Sequence, residues 1–386
     1  MKKRITILGS TGSIGQASLN IIEKKKNNFR IVILSANKNY SLICKQIKKY
    51  KPDFFVVTNK NIYEKIKKKF KTKNTIIENN IKFIKLKKKS DITISAIPGI
   101  EGLEPTLIMT RLSKKILIAN KESVICGWNL LSTTAKKNRT KIIPIDSEHY
   151  SISKLIQNHN LNEISRIYLT ASGGPFLNYK PHEFKKIKPK DALKHPKWKM
   201  GKKITIDSST LMNKILELIE AQKLFNVPNN KLEIIIHPES LVHAIVKFKN
   251  GLSKFLYHET SMIIPLANAI FDENINISDY YKISRSKRNN INNLSFKRVN
   301  KKIFPVISLK SRINEYRSTS IIINATNEIL VDQFLQKKIP FLRISKTIMK
   351  ILNDKNYKKY AIRHPRSFYQ IIKIDQWARE TATKLC

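Results

Sequence analysis

Residues 4–15 read Arg4-Ile5-Thr6-Ile7-Leu8-Gly9-Ser10-Thr11-Gly12-Ser13-Ile14-Gly15, and this stretch decides the fold. The run 4–8 has weak strand alternation. A helical pattern follows from about Gln16 to Lys25, and a second strand pattern covers Arg30 to Leu34. Together they form a βαβ unit. The spacing Gly9-x-x-Gly12-x-x-Gly15 is a variant of the dinucleotide fingerprint, set between strand and helix. Small residues there let the backbone approach a pyrophosphate at a helix N-terminus. A plain tight turn would also use these glycines.

Working outward, strand-like runs recur at Phe54–Val57, Ile92–Ala96, Ile116–Ala119 and Lys141–Ile145, mostly with helical spacers. That alternation predicts an α/β fold with a Rossmann-like, doubly wound parallel sheet over residues 1–147. Beyond it, strand runs at Ser165–Thr170, Leu232–His237, Leu241–Lys247 and Ser253–Tyr257 lie closer together. They predict a mixed or antiparallel sheet in a central α+β domain, 148–273, with a helix over about Ser209 to Leu224. Residues 274–302 are polar and read as a linker, and 303–386 read as a C-terminal helical bundle.

The chain has 386 residues, 74 Lys+Arg against 28 Asp+Glu, and a net charge of +46. That charge fits either a nucleic-acid binder or a compositional bias toward Lys, Asn and Ile. The lysines are spread along the whole chain and no recognition motif accompanies them, so the expectation is no nucleic-acid partner. A positive field would still attract phosphorylated small molecules. No segment is long and apolar enough to span a membrane, and Met1-Lys2-Lys3-Arg4 leads into too short an apolar run for a signal peptide. Cys44, Cys126 and Cys386 are far apart and odd in number, which fits a reduced cytoplasm and no Cys-rich zinc site.

The strand pattern at Lys141–Ile145 ends in Asp146-Ser147-Glu148-His149. In an extended backbone Asp146 and Glu148 would point to one side, and oxygen ligands so paired favour Mg2+ or Mn2+. A solvated acidic loop fits the same residues. On the helix starting near Ser209, Asn213, Lys214 and Glu217 share one face, so Glu217 could complete a metal site. Ser172-Gly173-Gly174-Pro175 could form an anion nest or a β-turn. The loop His195–Gly201, within a lid predicted over 195–203, carries Trp198 before a terminal glycine; its ring could close over a ligand or anchor in a core. After Leu34 no acid occurs before Asp53, while Lys38 could meet a 2′-phosphate, so NADP(H) is expected over NAD(H).

Seven motifs in order carry a resemblance that runs nearly the whole chain. They are Gly9-Ser-Thr-Gly-Ser-Ile-Gly15, Ala119-Asn-Lys-Glu-Ser123, Asp146-Ser-Glu-His149, Ala171-Ser-Gly-Gly-Pro-Phe176, His195-Pro-x-Trp-x-Met-Gly201, Asp207-Ser-x-Thr-x-Met-Asn-Lys-x-x-Glu217 and His237-Pro-x-Ser240. The chain resembles the 1-deoxy-D-xylulose 5-phosphate reductoisomerase family of the non-mevalonate isoprenoid pathway. The resemblance implies a cytoplasmic homodimer that rearranges and then reduces 1-deoxy-D-xylulose 5-phosphate with NADPH and Mg2+, Mn2+ or Co2+. The rearrangement it implies is retro-aldol cleavage and re-addition.

The resemblance also implies residue roles. Asp146, Glu148 and Glu217 would hold the metal. Ser172, Ser208, Asn213 and Lys214 would meet the substrate phosphate, with His195 nearby. Lys121 and Ser147 would contact the reacting hydroxyl and carbonyl end. Thr11, Gly12, Ser13 and Ile14 would cradle the NADPH pyrophosphate, and Asn37, Lys38 and Asn39 the adenosine phosphate. Asn120, Glu122 and Gly201 would lie on the nicotinamide side, with Trp198 and Met200 in the lid. Two departures stand out: Asn37 where the family uses glycine, and Thr260-Ser261-Met262-Ile263 in place of Pro-Asp-Met-Arg. A different NADP-dependent oxidoreductase of a phosphorylated or acidic aldehyde is the alternative enzyme reading.

Overall fold

The structure, a computed structural model, describes residues 2–71, 74–198, 200–281 and 293–386. The chain divides into two compact units. The first comprises Met1–Ser123, Gly127–Asp146 and Met262–Lys282; the second comprises Val124–Cys126, Ser147–Ser261 and Ile283–Cys386.

The first unit is built on seven parallel strands: β1 (Lys3–Leu8), β2 (Phe29–Ala36), β3 (Phe54–Val57), β4 (Ile76–Glu78), β5 (Ser90–Ser95), β6 (Ser113–Ile118) and β7 (Lys141–Pro144). Their order is β4-β3-β2-β1-β5-β6-β7, so the connection reverses between β1 and β5. Helices α1 (Ser13–Glu23), α2 (Tyr40–Tyr50), α3 (Lys60–Lys69), α4 (Leu103–Leu112) and α5 (Lys121–Asn138) connect them. Ile5, Ile7, Leu8, Ile33 and Leu34 are fully buried. Near-continuous apolar runs are what a parallel sheet covered on both faces requires. The strand β4 was not expected; three residues are too few to show a period.

In the second unit, α6 (Ser147–Leu155) precedes a mixed sheet of β8 (Ile164–Ala171), β9 (Leu232–Ile236), β10 (Val242–Phe248), β11 (Ser253–Tyr257) and β12 (Lys297–Arg298), in the order β11-β10-β8-β9-β12. Only the β8–β9 pair is parallel. Helices α7 (Pro189–Ala192), α8 (Lys202–Thr210) and α9 (Met212–Phe225) lie between β8 and β9 in the chain. The helix α10 (Ile263–Phe271) returns to the first unit, where Phe271 meets the Phe29 ring edge-on at 5.6 Å. Helices α11 (Thr319–Leu335), α12 (Arg343–Ile351), α13 (Tyr357–Ala361) and α14 (Phe368–Lys384) form the C-terminal helical part, α11 packing on α12 and α14.

The structure corrects several sequence expectations. The helix expected over Ser209–Leu224 is two helices, because Leu211 takes a left-handed backbone at φ 66. Nothing in the local sequence marks that break. The expected linker 274–302 contains a 3-10 turn at Ile277–Asp279 and strand β12; its residues 282–292 lie outside the described residues. The expected boundary after residue 147 falls one residue from the observed one, whereas residues 262–273, expected in the central domain, belong to the first unit.

Candidate active site

In the first unit the expected nucleotide residues lie at the carboxyl ends of the strands, where open α/β sheets bind ligands. Gly9 adopts φ +80, and a Cβ there would lie 2.7 Å from the Ala96 carbonyl oxygen. A Cβ on Gly15 would lie 2.3 Å from the Gly9 oxygen, so β1 and α1 can meet only with glycine. Gly12 is the N-cap of α1 and makes no side-chain cap, and Gly12 and Ser13 are exposed, with Thr11 and Ile14 partly so. The Gly12 amide donates to the Gly9 carbonyl at 3.0 Å, and the exposed first turn of α1, at the positive end of the helix, fits a pyrophosphate. Asn37, Lys38 and Asn39 follow β2 and are exposed. Asn39 also caps α2, its side chain accepting from the Leu42 amide at 3.1 Å.

At the end of β6, Asn120 caps α5 by accepting from the Ser123 amide at 2.7 Å. Its Nδ2 donates to the carbonyls of Ile97 (2.6 Å) and Gly99 (2.9 Å) and to Glu122 (3.1 Å). Both side chains thus brace the loop that presents Lys121. The Lys121 ammonium sits 3.7 Å from Asp146 Oδ2, both groups largely buried.

Asp146 and Glu148 do not share an extended backbone, contrary to the sequence expectation. The strand β7 ends at Pro144, Asp146 lies in a bend, and Glu148 is already in the first turn of α6. A strand-to-helix turn brings the carboxylates near one another. One oxygen from each of Asp146, Glu148 and Glu217 lies within 4.8 Å of the others. Glu217 comes from α9, where it is 1% exposed. The buried Lys214 ammonium bridges Glu148 Oε1 and Glu217 Oε2, the latter at 2.7 Å. Asn213 donates to Glu217 Oε1, and Ser147 Oγ to Glu148 Oε2 at 2.5 Å. Like charges so close need a cation or a proton among them; Lys214 and Lys121 supply part of that charge, and the all-carboxylate set fits a hard divalent ion as well.

His195 is held tightly. Its Nδ1 accepts from the amides of Trp198 (2.8 Å) and Lys197 (3.2 Å). The neutral ring therefore carries its proton on Nε2, which lies 3.1 Å from both Ser172 Oγ and Ser208 Oγ. Burial and then the Lys214 charge push the imidazole pKa down to about 4. Ser172 opens the loop after β8, where Gly173 and Gly174 take φ +84 and +63. Gly174 lets that loop approach α8: a Cβ would lie 3.1 Å from the Ser208 oxygen. Ser172, His195, Ser208, Asn213 and Lys214 thus offer hydroxyl, ring N–H, amide and ammonium groups, the donor types an anionic ester needs.

Trp198 is half-buried and packs edge-on to His243 at 6.1 Å. His243 stacks on His258 at 3.8 Å. Met200 is half-buried, while Gly201 is exposed with open space where a Cβ would stand. Lys199 of this loop lies outside the described residues.

Sequence reasoning did not assign roles to the groups behind the site. His149 Nε2 lies 2.9 Å from the Glu217 carbonyl oxygen, with its Nδ1 3.4 Å from Glu220. Asp207 is gripped by Lys203 at 2.8 Å and by the Asn327 amide at 2.7 Å, fixing α8. The adjacency of His149 to Glu148 was the only signal available for the first.

Three family models match the chain: 1-deoxy-D-xylulose 5-phosphate reductoisomerase over residues 5–127, its C-terminal domain over 142–225, and a DXP reductoisomerase C-terminal domain over 258–381. The chain is 44% identical over 380 residues to the 1-deoxy-D-xylulose 5-phosphate reductoisomerase of Pelagibacter ubique, covering 97% of each chain. It is 37% identical to the enzyme of that name from a Wolbachia of Drosophila simulans, covering 99% of this chain and 97% of that one. A solved structure of the Zymomonas mobilis reductoisomerase in complex with NADPH matches with a TM-score of 0.89 at 30% identity, covering 100% and 99%. A DOX-P reductoisomerase in complex with NADPH, fosmidomycin and magnesium matches at 0.88 and 30%, covering 99% and 98%.

Proposed function

The chain belongs to the 1-deoxy-D-xylulose 5-phosphate reductoisomerase family, and from that premise we infer what it does and how its residues divide the work. It converts 1-deoxy-D-xylulose 5-phosphate to 2-C-methyl-D-erythritol 4-phosphate, using NADPH and a divalent metal. The observation that carries the residue assignment is the group Asp146, Glu148 and Glu217, with one oxygen of each within 4.8 Å.

These three carboxylates hold the ion, which when bound supplies Lewis acidity to substrate oxygens. The Lys121 ammonium adds positive charge at the reacting end, and the Ser147 hydroxyl orients it. Ser172, Ser208, Asn213 and Lys214 bind the phosphate, and His195, neutral through the physiological range, donates from Nε2. NADPH supplies the hydride; Thr11, Gly12, Ser13 and Ile14 take its pyrophosphate, and Asn37, Lys38 and Asn39 its adenosine phosphate. Asn120, Glu122 and Gly201 shape the nicotinamide side. Trp198 and Met200 cover the substrate and exclude water. The protein works as a cytoplasmic homodimer, the assembly and compartment that the family resemblance supports.

The test is NADPH oxidation with 1-deoxy-D-xylulose 5-phosphate. Turnover should require the sugar phosphate and stop when EDTA removes the metal. Oxidation that survives chelation would favour the metal-free aldehyde reductase alternative.

A further inference from the structure

The lysine runs are scattered in sequence, yet the fold gathers several of them. At the amino-terminal ends of the first unit's strands, away from the glycine loop, a depression of about 630 Å³ is lined by Lys2, Arg4, Arg30, Lys85, Lys87 and Lys88. Three segments supply these cations: the start of β1, the start of β2 and the loop before β5. The lining holds one carboxylate, Asp53, which Arg30 takes at 2.8 Å. The Arg4 guanidinium donates to the Lys88 carbonyl at 3.3 Å. Among the described residues, no hydrogen bond or ion pair is seen from the ammonium groups of Lys2, Lys85, Lys87 or Lys88. A second depression of about 590 Å³ shares Lys2, Arg4 and Lys88 with the first.

Lysines elsewhere in this unit show the ordinary structural use. Lys89 donates to the Asn138 carbonyl at the end of α5 at 2.9 Å, and Lys114 pairs with Asp91 at 2.8 Å. The four lining lysines do neither. Converging like charges repel, and a concave wall focuses their field, so an anion there relieves a real cost. Flexible ammonium groups suit a multiply charged phosphate chain, approached from several sides. The volume falls in the small-ligand range. Phe54 and Leu86 add apolar wall.

We propose that this depression binds a small oligophosphate, at a site that shares no residue with the catalytic group around Asp146, Glu148 and Glu217. Isothermal titration with tripolyphosphate at physiological salt should show saturable one-to-one binding. The exposed triple variant Lys85→Glu/Lys87→Glu/Lys88→Glu should weaken it at least about tenfold. It should leave kcat and the KM for NADPH unchanged. A control, Lys346→Glu/Lys350→Glu/Lys373→Glu, has the same net charge with the changes on exposed faces of α12 and α14, and should bind as the wild type does. Equal weakening in both variants would reduce the effect to the field of the whole chain. Unchanged binding in the first variant, or a matching rise in its NADPH KM, would place the anion elsewhere. Tighter binding of a thymidine oligonucleotide than of tripolyphosphate would make the occupant a nucleic acid. Each of these four results overturns the proposal.

Discussion

Replacing Lys214 by methionine should expose how the carboxylate group is balanced. Methionine keeps most of the side-chain volume but removes the charge that Glu148 and Glu217 share. The three side chains are 8%, 13% and 1% exposed. Removing one partner of a buried pair costs about 3–5 kcal/mol; the partial exposure of Glu148 argues for the lower end, about 3 kcal/mol. For a unit of this size each kcal/mol shifts the melting temperature by roughly 2–4 °C. Without divalent metal, Lys214→Met should therefore melt about 6–12 °C below wild type. The ammonium also competes with a metal for the same oxygens, so the variant should gain more from Mg2+. At a concentration a hundredfold above its dissociation constant, a ligand contributes about 2.7 kcal/mol, enough to recover most of the loss. Scanning calorimetry with EDTA and with Mg2+ reads both effects. If the variant melts like wild type in EDTA, or if Mg2+ raises both melting points equally, the shared-cation reasoning is wrong.

Three further outcomes follow from single residues. Gly15→Ala should abolish NADPH binding or folding, because its Cβ would stand 2.3 Å from the Gly9 oxygen, whereas Gly201→Ala, with open space at Cβ, should change stability by less than about 0.5 kcal/mol; equal effects in melting and cofactor titration would contradict both placements. Lys38→Ala should raise the KM for NADPH about tenfold or more while sparing NADH, the loss expected for one charge-assisted contact; equal changes for both cofactors in steady-state assays would remove Lys38 from the 2′-phosphate. The His195 imidazole, lowered to about 4, takes up its proton more readily in the unfolded chain. Its contribution is fully present above the unfolded value near 6.5 and is lost as pH falls through about 4; an NMR titration of this ring near pH 6.5 would show that it is not held as described.

Much of the fold was legible because its signals are local. The apolar run before Gly9 and the glycine spacing carry the strand, turn and helix in the residues themselves. The carboxylates were legible as a group but for a mistaken reason: Asp146 and Glu148 converge through a turn into α6, not along an extended strand. The left-handed Leu211 left no mark, since leucine disfavours that conformation and no glycine or asparagine announces the break. The return of Ile263–Phe271 to the first unit was equally hidden. An apolar face reveals that a helix is buried, not which sheet buries it. The hold of Asn120 on the Ile97 and Gly99 carbonyls, and that of Asn327 on Asp207, join residues that only folding brings together.

The most direct test of the account is anomalous diffraction from crystals grown with Mn2+, a scattering substitute for Mg2+. One strong peak is expected with oxygens of Asp146, Glu148 and Glu217 all at about 2.1 Å, lost in crystals of Glu217→Gln. A peak that omits any of the three carboxylates, or no ordered manganese among them at saturating metal, would contradict it.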